Sequence, residues 1–529
     1  MTPRTHRLAV LLAGFILAAC SREPASPPPV SQDAGQQAAT ADEIAWFQGS
    51  VDEAFAHAKQ ARKPVFLYWG AVWCPPCHEI KATVFRSREF IDRSRLFVPV
   101  YLDGDTENAQ ALGEKFGVVG YPTMIVFSPD GEEITRIPGG IDIQAYANVL
   151  DLTLASMQPV SGLLAAVLDD GAKLSAEQCR LMAYYSWEQN ETLMEKRDAR
   201  AAFAAMAAAC PADAAVARSM LEMRSLEEAV EKVNAKESPV PLTPAEQAAA
   251  LAQVNALLDD PKQVRANLYS VLAGGARVTR AITAAGSPER EALQAKYIAV
   301  LDRAAKDEGL FMTERLYGIV GKIRFERIED EKKALPEALV SEARDMVSLA
   351  DAQTKDVYER QTVINAASYV LEQAGLAQEA KQLLLAELDK SKQPYYFMVG
   401  IADIEQEAGN DAAAIDWLKR AYDASTGPAT RFQWGTYYIN GLLEMSPDDV
   451  ARIQQDTVAV VRELEAGRAF YQRPKAQLQR LETKLEAWGT TPERKAGLAK
   501  IREGVLGICA TIPEQEPARA TCAGFLAPA

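Results

Sequence analysis

The chain has 529 residues, too many for one hydrophobic core, and this length predicts about three or four structural units. Its 57 lysines and arginines against 72 aspartates and glutamates give a net charge of −15, which favours solubility. A nucleic-acid-binding protein needs a basic face to neutralise phosphates, and the sequence shows no basic cluster of that kind. We therefore expect no nucleic-acid partner.

The first 20 residues have the pattern of a targeting segment. A cationic start is followed by an apolar run from Leu8 to Ala19, which is too short to cross a bilayer comfortably. The run ends in small residues before Cys20, an order that resembles the lipobox of bacterial lipoproteins. The resemblance implies that residues 1–20 form a lipoprotein signal peptide and that Cys20 carries the lipid. The alternative is an ordinary cleaved signal peptide with an incidental cysteine.

Residues 21–40 are predicted to be a linker. They contain four prolines among serines, glutamines and alanines, with little apolar surface to bury. Ser21 stands where an inner-membrane retention signal would have aspartate. The lipoprotein resemblance therefore implies a bacterial cell envelope protein, anchored to the periplasmic face of a membrane, the outer membrane rather than the inner one.

Residues 41–158 are predicted to alternate between helices and strands. Ser50 and Glu53 form a capping box, which predicts that a helix begins at Val51. Apolar runs and turn residues place the other elements. Strands are predicted at 65–69, 96–102, 123–127 and 132–137, and further helices at 75–85, 107–116 and 143–157.

Two cysteines two residues apart stand in the segment Trp73-Cys74-Pro75-Pro76-Cys77, between the first strand and the helix that follows it. This spacing at a helix start is typical of a redox dithiol. One half of a zinc site is the alternative. The sequence has no second CxxC and only three histidines, so we expect no metal.

A second motif, Tyr121-Pro122-Thr123, precedes another predicted strand. The two motifs in this order resemble the thioredoxin fold, and most of all the periplasmic thioredoxin-like domains of thiol-disulfide interchange proteins. The resemblance implies an α/β domain of about 110 residues in which Pro122 is cis and lies against the dithiol. It also implies that an extended substrate segment pairs with the backbone at Tyr121, while Trp73 covers one side of the site.

The positions of the two thiols predict different roles. Cys74, at the helix start, is expected to be the exposed nucleophile, since the helix dipole favours its thiolate. Cys77, one turn further, is expected to be shielded and to resolve the mixed disulfide. Pro75 and Pro76 have no backbone N–H to stabilise that thiolate, so we expect a reducing rather than a strongly oxidising dithiol.

The sequence departs from thioredoxins in the groups that accompany the dithiol. The buried aspartate that helps to accept the cysteine proton is replaced by Tyr68, and its partner lysine by Val100 or a neighbour. Glu79 and His78 are the nearest candidates for moving a proton to or from Cys77, although the sequence favours a solvated helix histidine at position 78 over a local acid or base.

Residues 160–529 are predicted to be helical, with no further strands. Gly375, Ala380, Leu384 and Pro394 recur 34 residues later as Gly409, Ala414, Leu418 and Pro428. This order resembles tetratricopeptide repeats over about 360–445, within an irregular α-solenoid. Such arrays expose long concave surfaces that bind peptides or proteins. Alternatively the helices only pack together, and Trp417, Trp434, Tyr437 and Tyr438 lie in the core rather than in a groove.

Four further cysteines remain, and three pairings are formally open. In an oxidising compartment they predict structural disulfides. Sequence proximity favours pairing Cys179 with Cys210 and Cys509 with Cys522.

These features predict an envelope-anchored thiol-disulfide oxidoreductase with Cys74 attacking and Cys77 resolving. The reaction needs no metal or organic cofactor. Its expected partners are protein or peptide substrates and an upstream redox donor or acceptor. The alternative is an adaptor lipoprotein in which the helical region acts and the thioredoxin-like domain is vestigial.

Overall fold

The structure is a computed structural model that describes residues 43–527, apart from Trp73 and residues 139–142, 232–241, 466–469 and 471. The predicted signal peptide with Cys20, the linker and Trp73 therefore lie outside the described residues. Within the described part of the chain, no single helix is long and apolar enough to cross a membrane. One bent pair, Tyr146–Ser156 with Val160–Asp170, reaches that length and composition only when its two helices are taken together.

A four-stranded mixed sheet with helices around it forms the first part, which we call the redox domain (residues 43–156). Its elements in chain order are α1 (Val51–Ala61), β1 (Val65–Gly70), α2 (Pro75–Ala82), α3 (Arg88–Ser94), β2 (Val98–Asp103), α4 (Glu107–Phe116), β3 (Thr123–Phe127), β4 (Glu133–Ile137) and α5 (Ile143–Ser156). The predicted α/β order is confirmed, and α3 is an additional helix that the sequence pattern did not indicate.

The strands lie in the order β2-β1-β3-β4. Strand β1 is parallel to β2 and antiparallel to β3, and β3 is antiparallel to β4. All six residues of β1 are buried, as expected for a central strand covered on both faces. The register pairs Trp69 with Thr123, so the end of β1 that leads to Cys74 lies beside the start of β3. This pairing brings the two sequence motifs together.

The rest of the described chain, which we call the helical region (residues 160–527), is helical, and its described residues form no strand. The helices are α6 (Val160–Asp170), α7 (Ala176–Ala183), α8 (Ala199–Ala209), α9 (Ala215–Glu231), α10 (Pro244–Asp259), α11 (Pro261–Ala266), α12 (Gly275–Ile282), α13 (Pro288–Lys306), α14 (Met312–Glu326), α15 (Glu337–Gln353), α16 (Val357–Gln373), α17 (Ala377–Leu385), α18 (Tyr395–Glu407), α19 (Asp411–Ala424), α20 (Pro428–Met445), α21 (Val450–Arg462), α22 (Gln472–Trp488), α23 (Pro492–Cys509) and α24 (Pro517–Gly524).

Two helical hairpins, α16–α17 and α18–α19, contain the 34-residue repeat. Each turns at a glycine with positive φ, 79° at Gly375 and 75° at Gly409, a conformation that side chains other than glycine rarely adopt. Ala380 and Ala414 are fully buried at the helix contacts. The assignment of this part to tetratricopeptide repeats stays a prediction, as do the domain limits 41–158 and 160–529.

Two disulfides lie in the helical region. One joins Cys179 on α7 to Cys210 at the end of α8, and the other joins Cys509 at the end of α23 to Cys522 on α24. This is the pairing that sequence proximity favours. All four cysteines are buried in hydrophobic clusters of their own helices.

The helical region contacts the redox domain on two sides. Near its start, the Tyr185 hydroxyl donates to the Glu133 carboxylate at 2.9 Å. Much later in the chain, α16 packs against α2 and α22 packs against α4. The helix that carries the dithiol therefore lies between the sheet and the helical region.

Candidate dithiol site

Cys74 and Cys77 are joined as a disulfide at the start of α2. Cys74 is the N-cap residue, and its Sγ accepts a hydrogen bond from the Cys77 backbone N–H at 3.2 Å. Pro75 and Pro76 occupy the first two helical positions, where no N–H is available to point at the sulfur. One backbone donor thus serves the sulfur at a helix end that has up to four unsatisfied N–H groups in other sequences.

The loop before β3 forms the second wall of the site. The Tyr121–Pro122 peptide bond is cis. The Tyr121 hydroxyl donates to the Gly104 carbonyl at 2.8 Å and accepts from Gln110 Nε2 at 2.9 Å. A Cβ at position 104 would lie 2.2 Å from the Tyr121 ring, so this close approach requires glycine. Tyr121 is thereby held against the hydrophobic cluster that contains the dithiol.

Cys74 is buried, and the expectation of an exposed nucleophile is wrong for this structure. Only 1% of Cys74 is exposed, and Cys77 is fully buried. The reason is long-range packing, since both cysteines belong to a hydrophobic cluster whose other members, apart from Ala71, come from the helical region. A sequence motif fixes which atoms react, but it carries no information about what packs over them.

The cluster holds many aromatic side chains from the helical region, and three of them contact one another (Tyr395, Tyr396 and Trp434). We call these three the aromatic cover. The ring centroids of Tyr395 and Trp434 are 5.2 Å apart, and those of Tyr396 and Trp434 are 4.8 Å apart. Trp434 is 4% exposed, so it belongs to the core and not to an open groove. Tyr438 is also buried, whereas Tyr437 is exposed.

A polar contact between the two regions lies beside the aromatic cover. The backbone carbonyl of Val72 accepts from His78 Nε2 at 2.6 Å and from Gln393 Nε2 at 3.4 Å. The His78 ring stacks on Tyr358 of α16 with 3.8 Å between centroids. His78 is therefore half-buried rather than a solvated surface residue, and burial is the main cause that lowers its pKa.

Glu79 lies on the face of α2 that meets the helical region. Burial, followed by repulsion from Glu314 on α14 and Glu359 on α16, raises the pKa of Glu79 to about 7. Tyr68, which replaces the thioredoxin aspartate, is fully buried, and its hydroxyl is 3.5 Å from the Cys77 carbonyl oxygen. Burial raises the pKa of Tyr68 as well, so Glu79 is the acid of this pair that titrates near neutral pH.

The sequence did not predict which residues cover the dithiol. Trp434 was named as a groove or core residue, but nothing placed it near the two cysteines. Tyr358, Gln393 and Tyr395 lie about three hundred residues after Cys74 and have no pattern that links them to it. Among the described residues, no group of three or more His, Cys, Asp or Glu side chains is placed to hold a metal ion.

A CxxC dithiol at the head of a helix, beside a cis-proline loop on a β2-β1-β3-β4 sheet, defines a thioredoxin-fold dithiol protein. A family model described as a thioredoxin-like domain matches residues 51–153. Thioredoxin H4 of Arabidopsis thaliana is 34% identical over 92 residues, which make up 17% of this chain and 71% of that protein. The chain belongs to the thioredoxin family.

Two bacterial relatives carry a more specific name. Thiol:disulfide interchange protein DsbD 1 of Pseudomonas aeruginosa is 32% identical over 104 residues, and thiol:disulfide interchange protein DsbD of Cronobacter sakazakii is 38% identical over 106 residues. Each match covers 19% of this chain and 18% of the relative. The chain thus spans less than a fifth of the length of these relatives, and the family model ends at residue 153, before α6 begins.

Proposed function

We propose that this protein is a thiol-disulfide oxidoreductase that reduces disulfides of protein substrates with the Cys74 and Cys77 thiols. The observation that carries the proposal is the bonded Cys74–Cys77 pair at the start of α2 in a thioredoxin-family domain. In this reading the structure shows the oxidised state, which is the product of one turnover.

The reaction balances as two successive thiol-disulfide exchanges. The Cys74 thiolate attacks one sulfur of a substrate disulfide, and the other substrate sulfur leaves and takes a proton. The Cys77 thiolate then attacks Cys74 Sγ, which forms the disulfide seen here and releases the second substrate sulfur as a thiol. Two electrons and two protons pass to the substrate, and a dithiol reductant must return them.

The reducing direction rests on the N-cap geometry. A reduced form is stabilised by whatever stabilises its thiolate, and a single backbone N–H, that of Cys77, donates to Cys74 Sγ. Equilibration with glutathione buffers measures this directly. A dithiol that stays reduced in the most oxidising of these buffers would contradict the proposed direction.

The decisive experiment is an insulin-reduction assay on the full chain with dithiothreitol as the electron source. We expect catalysis by the wild type and loss of catalysis in Cys74→Ser. The variant Cys77→Ala should retain the first exchange and accumulate mixed disulfides with its substrates. A variant without the Cys179–Cys210 bond is the matched control, since it removes two cysteines outside the site. Equal rates for the wild type and Cys74→Ser would refute the enzyme.

The burial of Cys74 favours a second candidate, an adaptor whose helical region binds partners while the redox domain only supports it. Residues 360–445, with their tetratricopeptide-like hairpins, would then supply the peptide-binding surface. Cells that carry Cys74→Ser in place of the wild type distinguish the two. A null phenotype supports the oxidoreductase, and a wild-type phenotype supports the adaptor.

We also propose that the protein is held at the periplasmic face of a bacterial envelope membrane, the outer one, by a lipid on Cys20. The lipobox-like sequence supports this, together with the 20-residue linker that would hold the folded part away from the bilayer. Labelling with a radioactive fatty acid should mark the wild type and leave Cys20→Ala unmarked. Separation of inner and outer membranes then tests the location.

A further inference from the structure

The oxidised dithiol fits its surroundings because a disulfide is neutral and apolar. Cys74 lies in a cluster with Ala71, Tyr395 and Trp434 and is almost fully buried. A reduced Cys74 in its reactive thiolate form would place a negative charge in the same cluster. Burial of a charge without a partner is strongly unfavourable, and a single N–H donor compensates little of the cost.

We call the contact between α2 and the helical region the joint. The charged groups around it do not favour an added negative charge. The acidic side chains that interact with α2 or with Tyr395 are Glu79 on α2 itself, Asp103 at the end of β2, Asp105 before α4, Glu314 on α14, Asp356 at the N-cap of α16 and Glu359 on α16. His78 and Lys81 are the basic groups on α2, and burial lowers the pKa of both. Lys81 Nζ lies over the Tyr101 ring, 4.5 Å from its centroid.

Besides the apolar packing around the dithiol, two individual contacts attach the helical region to α2 and the residues before it. Gln393 reaches Val72 through one hydrogen bond of 3.4 Å, and Tyr358 stacks on His78 while remaining 37% exposed. The rings of the aromatic cover contact one another within the helical region. The helical region could therefore separate from α2 without losing these aromatic contacts.

We propose that the later part of the helical region, which carries Tyr358, Gln393 and the aromatic cover, acts as a redox-linked cover. It closes over the Cys74–Cys77 disulfide and separates from α2 when Cys74 becomes a thiolate, while the start of the helical region stays attached to the sheet through Tyr185. This inference rests on the proposed function, because it describes when the dithiol is accessible. The closed state protects the oxidised centre, and the open state presents Cys74 and the Tyr121 loop to a disulfide substrate.

Linkage fixes the sign of the pH dependence. The closed state disfavours the thiolate, so the pKa of Cys74 is higher when closed than when open. Opening of the reduced protein therefore becomes more favourable as pH rises through the open-state pKa of Cys74. Each unit of difference between the two pKa values changes the opening equilibrium constant about tenfold. The oxidised protein has no Cys74 proton to lose and should show no such change from this group.

Hydrogen exchange on the full chain measures opening without any substrate. Peptides that cover residues 68–82 and 393–400 are compared in oxidised and reduced protein at the same pH, so intrinsic exchange rates cancel. A phosphine serves as reductant, since it converts a disulfide and water into two thiols and a phosphine oxide. At about pH 9 we expect both peptides to exchange at least about tenfold faster in the reduced protein. At about pH 5 the two redox states should agree within about twofold.

The matched control is the double variant Cys74→Ser/Cys77→Ser, treated with the same phosphine. It lacks the disulfide but forms no thiolate, and the other two disulfides experience the same treatment. We expect slow exchange at both pH values. Fast exchange in the serine variant would show that loss of the bond, and not charge, releases the cover, and would overturn the inference. So would equal protection of oxidised and reduced wild type at about pH 9.

A second variant keeps the test independent of the cysteines. The change Tyr358→Ala/Gln393→Ala removes two inter-region contacts and should speed exchange of residues 68–82 even in the oxidised protein. Tyr269→Ala is the control, since Tyr269 is 75% exposed on another part of the helical region. No difference between the double variant and its control would contradict the cover.

The insulin assay on the same preparations separates this inference from the proposed function. Redox-dependent exchange in a protein that does not reduce insulin retains the cover and rejects the reductase. Insulin reduction without redox-dependent exchange retains the reductase and rejects the cover.

Discussion

The dithiol lies in the redox domain, and most of the residues that cover it lie in the helical region. The structure of the first is determined by signals close together in sequence, and the arrangement of the second by contacts between residues far apart in sequence. In the redox domain, local signals set the elements: Ser50 caps α1, Cys74 caps α2 and Thr106 caps α4. In the helical region, caps and glycines also set the helix ends, but the position of each hairpin depends on partners far away in sequence. Tyr358 of α16 meets His78 of α2 in this way.

Because of this difference, the residues that determine the chemistry of the dithiol are not the residues that determine its accessibility to a substrate. The two thiols and the Tyr121–Pro122 loop meet because β1 and β3 are adjacent in one small sheet. Access to them depends on whether helices from the far end of the chain remain docked. Changes to long-range contacts should therefore affect access and overall stability, whereas changes to local caps should affect single elements.

The largest effect is expected at a buried ion pair that holds α16 in place. Arg360 donates to Glu387 at 3.0 Å and to Asp351 at 2.6 Å, and the Glu387 side chain is 3% exposed. Arg360→Ala leaves the buried Glu387 with Lys390, whose Nζ donates to it at 2.8 Å, but without its Arg360 partner. This should lower the free energy of unfolding by about 3–4 kcal/mol, the lower part of the range for a broken buried pair. Urea unfolding followed by far-ultraviolet circular dichroism measures it.

Arg344→Ala is the matched control for this change. Arg344 pairs with Glu379, but both side chains are about half exposed. The variant should therefore change the free energy of unfolding by no more than about the experimental error. If the two variants unfolded alike, buried long-range pairs would not be what positions the helical region.

The next effect is expected from the disulfide between α7 and α8. Cys179 and Cys210 are 31 residues apart, and removing both as Cys179→Ser/Cys210→Ser should cost about 2–4 kcal/mol, because the unfolded chain gains freedom. The rate of insulin reduction should not change, since the site lies elsewhere. A loss of activity at unchanged stability would show that this disulfide takes part in the redox reaction.

The sequence predicted the redox domain nearly completely, and the reason is physical. Every residue of β1 is apolar or glycine, the helix starts carry caps, and the CxxC and cis-proline motifs have fixed structural contexts. The exceptions are instructive. Strand β2 begins at Val98 instead of Leu96, which is exposed, and the short helix α3 has too few residues to show a period.

The covered state of the site could not be predicted in this way. Cys74 is buried in a cluster with side chains of the helical region, among them Tyr395 and Trp434. Helical periodicity shows only that such residues lie on an apolar face. It does not say which surface that face meets. His78 was misjudged for the same reason, since its stacking partner Tyr358 is 280 positions further along the chain.

A smaller effect is expected from Glu79, whose carboxyl faces Glu314 and Glu359 across the joint. Burial is the first cause that raises its pKa, from 4.5 to about 7. The folded protein therefore binds this proton more tightly than the unfolded chain, and stability falls as pH rises from 4.5 to about 7. Relative to Glu79→Gln, the free energy of unfolding of the wild type should fall by about 1–3 kcal/mol across this pH range and stay lower above it.

Urea unfolding at a series of pH values checks this expectation. Glu89→Gln, on the exposed side of α3, controls for the loss of one negative charge. Parallel pH profiles for the wild type and Glu79→Gln would mean that the joint does not hold Glu79 as described, and that the closed arrangement is less tightly packed.

The smallest effect is expected at a local feature of the redox domain, the capping box at the start of α1. The Ser50 side chain accepts from the Glu53 backbone N–H at 3.2 Å, and the Glu53 carboxylate accepts from the Ser50 backbone N–H at 2.8 Å. Ser50→Ala should cost about 1 kcal/mol, because one backbone donor at the start of α1 loses its partner. Asp52→Ala, at the exposed second residue of α1, keeps the cap and should leave stability nearly unchanged.

Because α1 lies within the redox domain, hydrogen exchange of residues 393–400 should be the same in both variants. A faster exchange there in Ser50→Ala would mean that a local cap controls the docking of distant helices, and the separation between locally encoded chemistry and distantly encoded access would no longer hold.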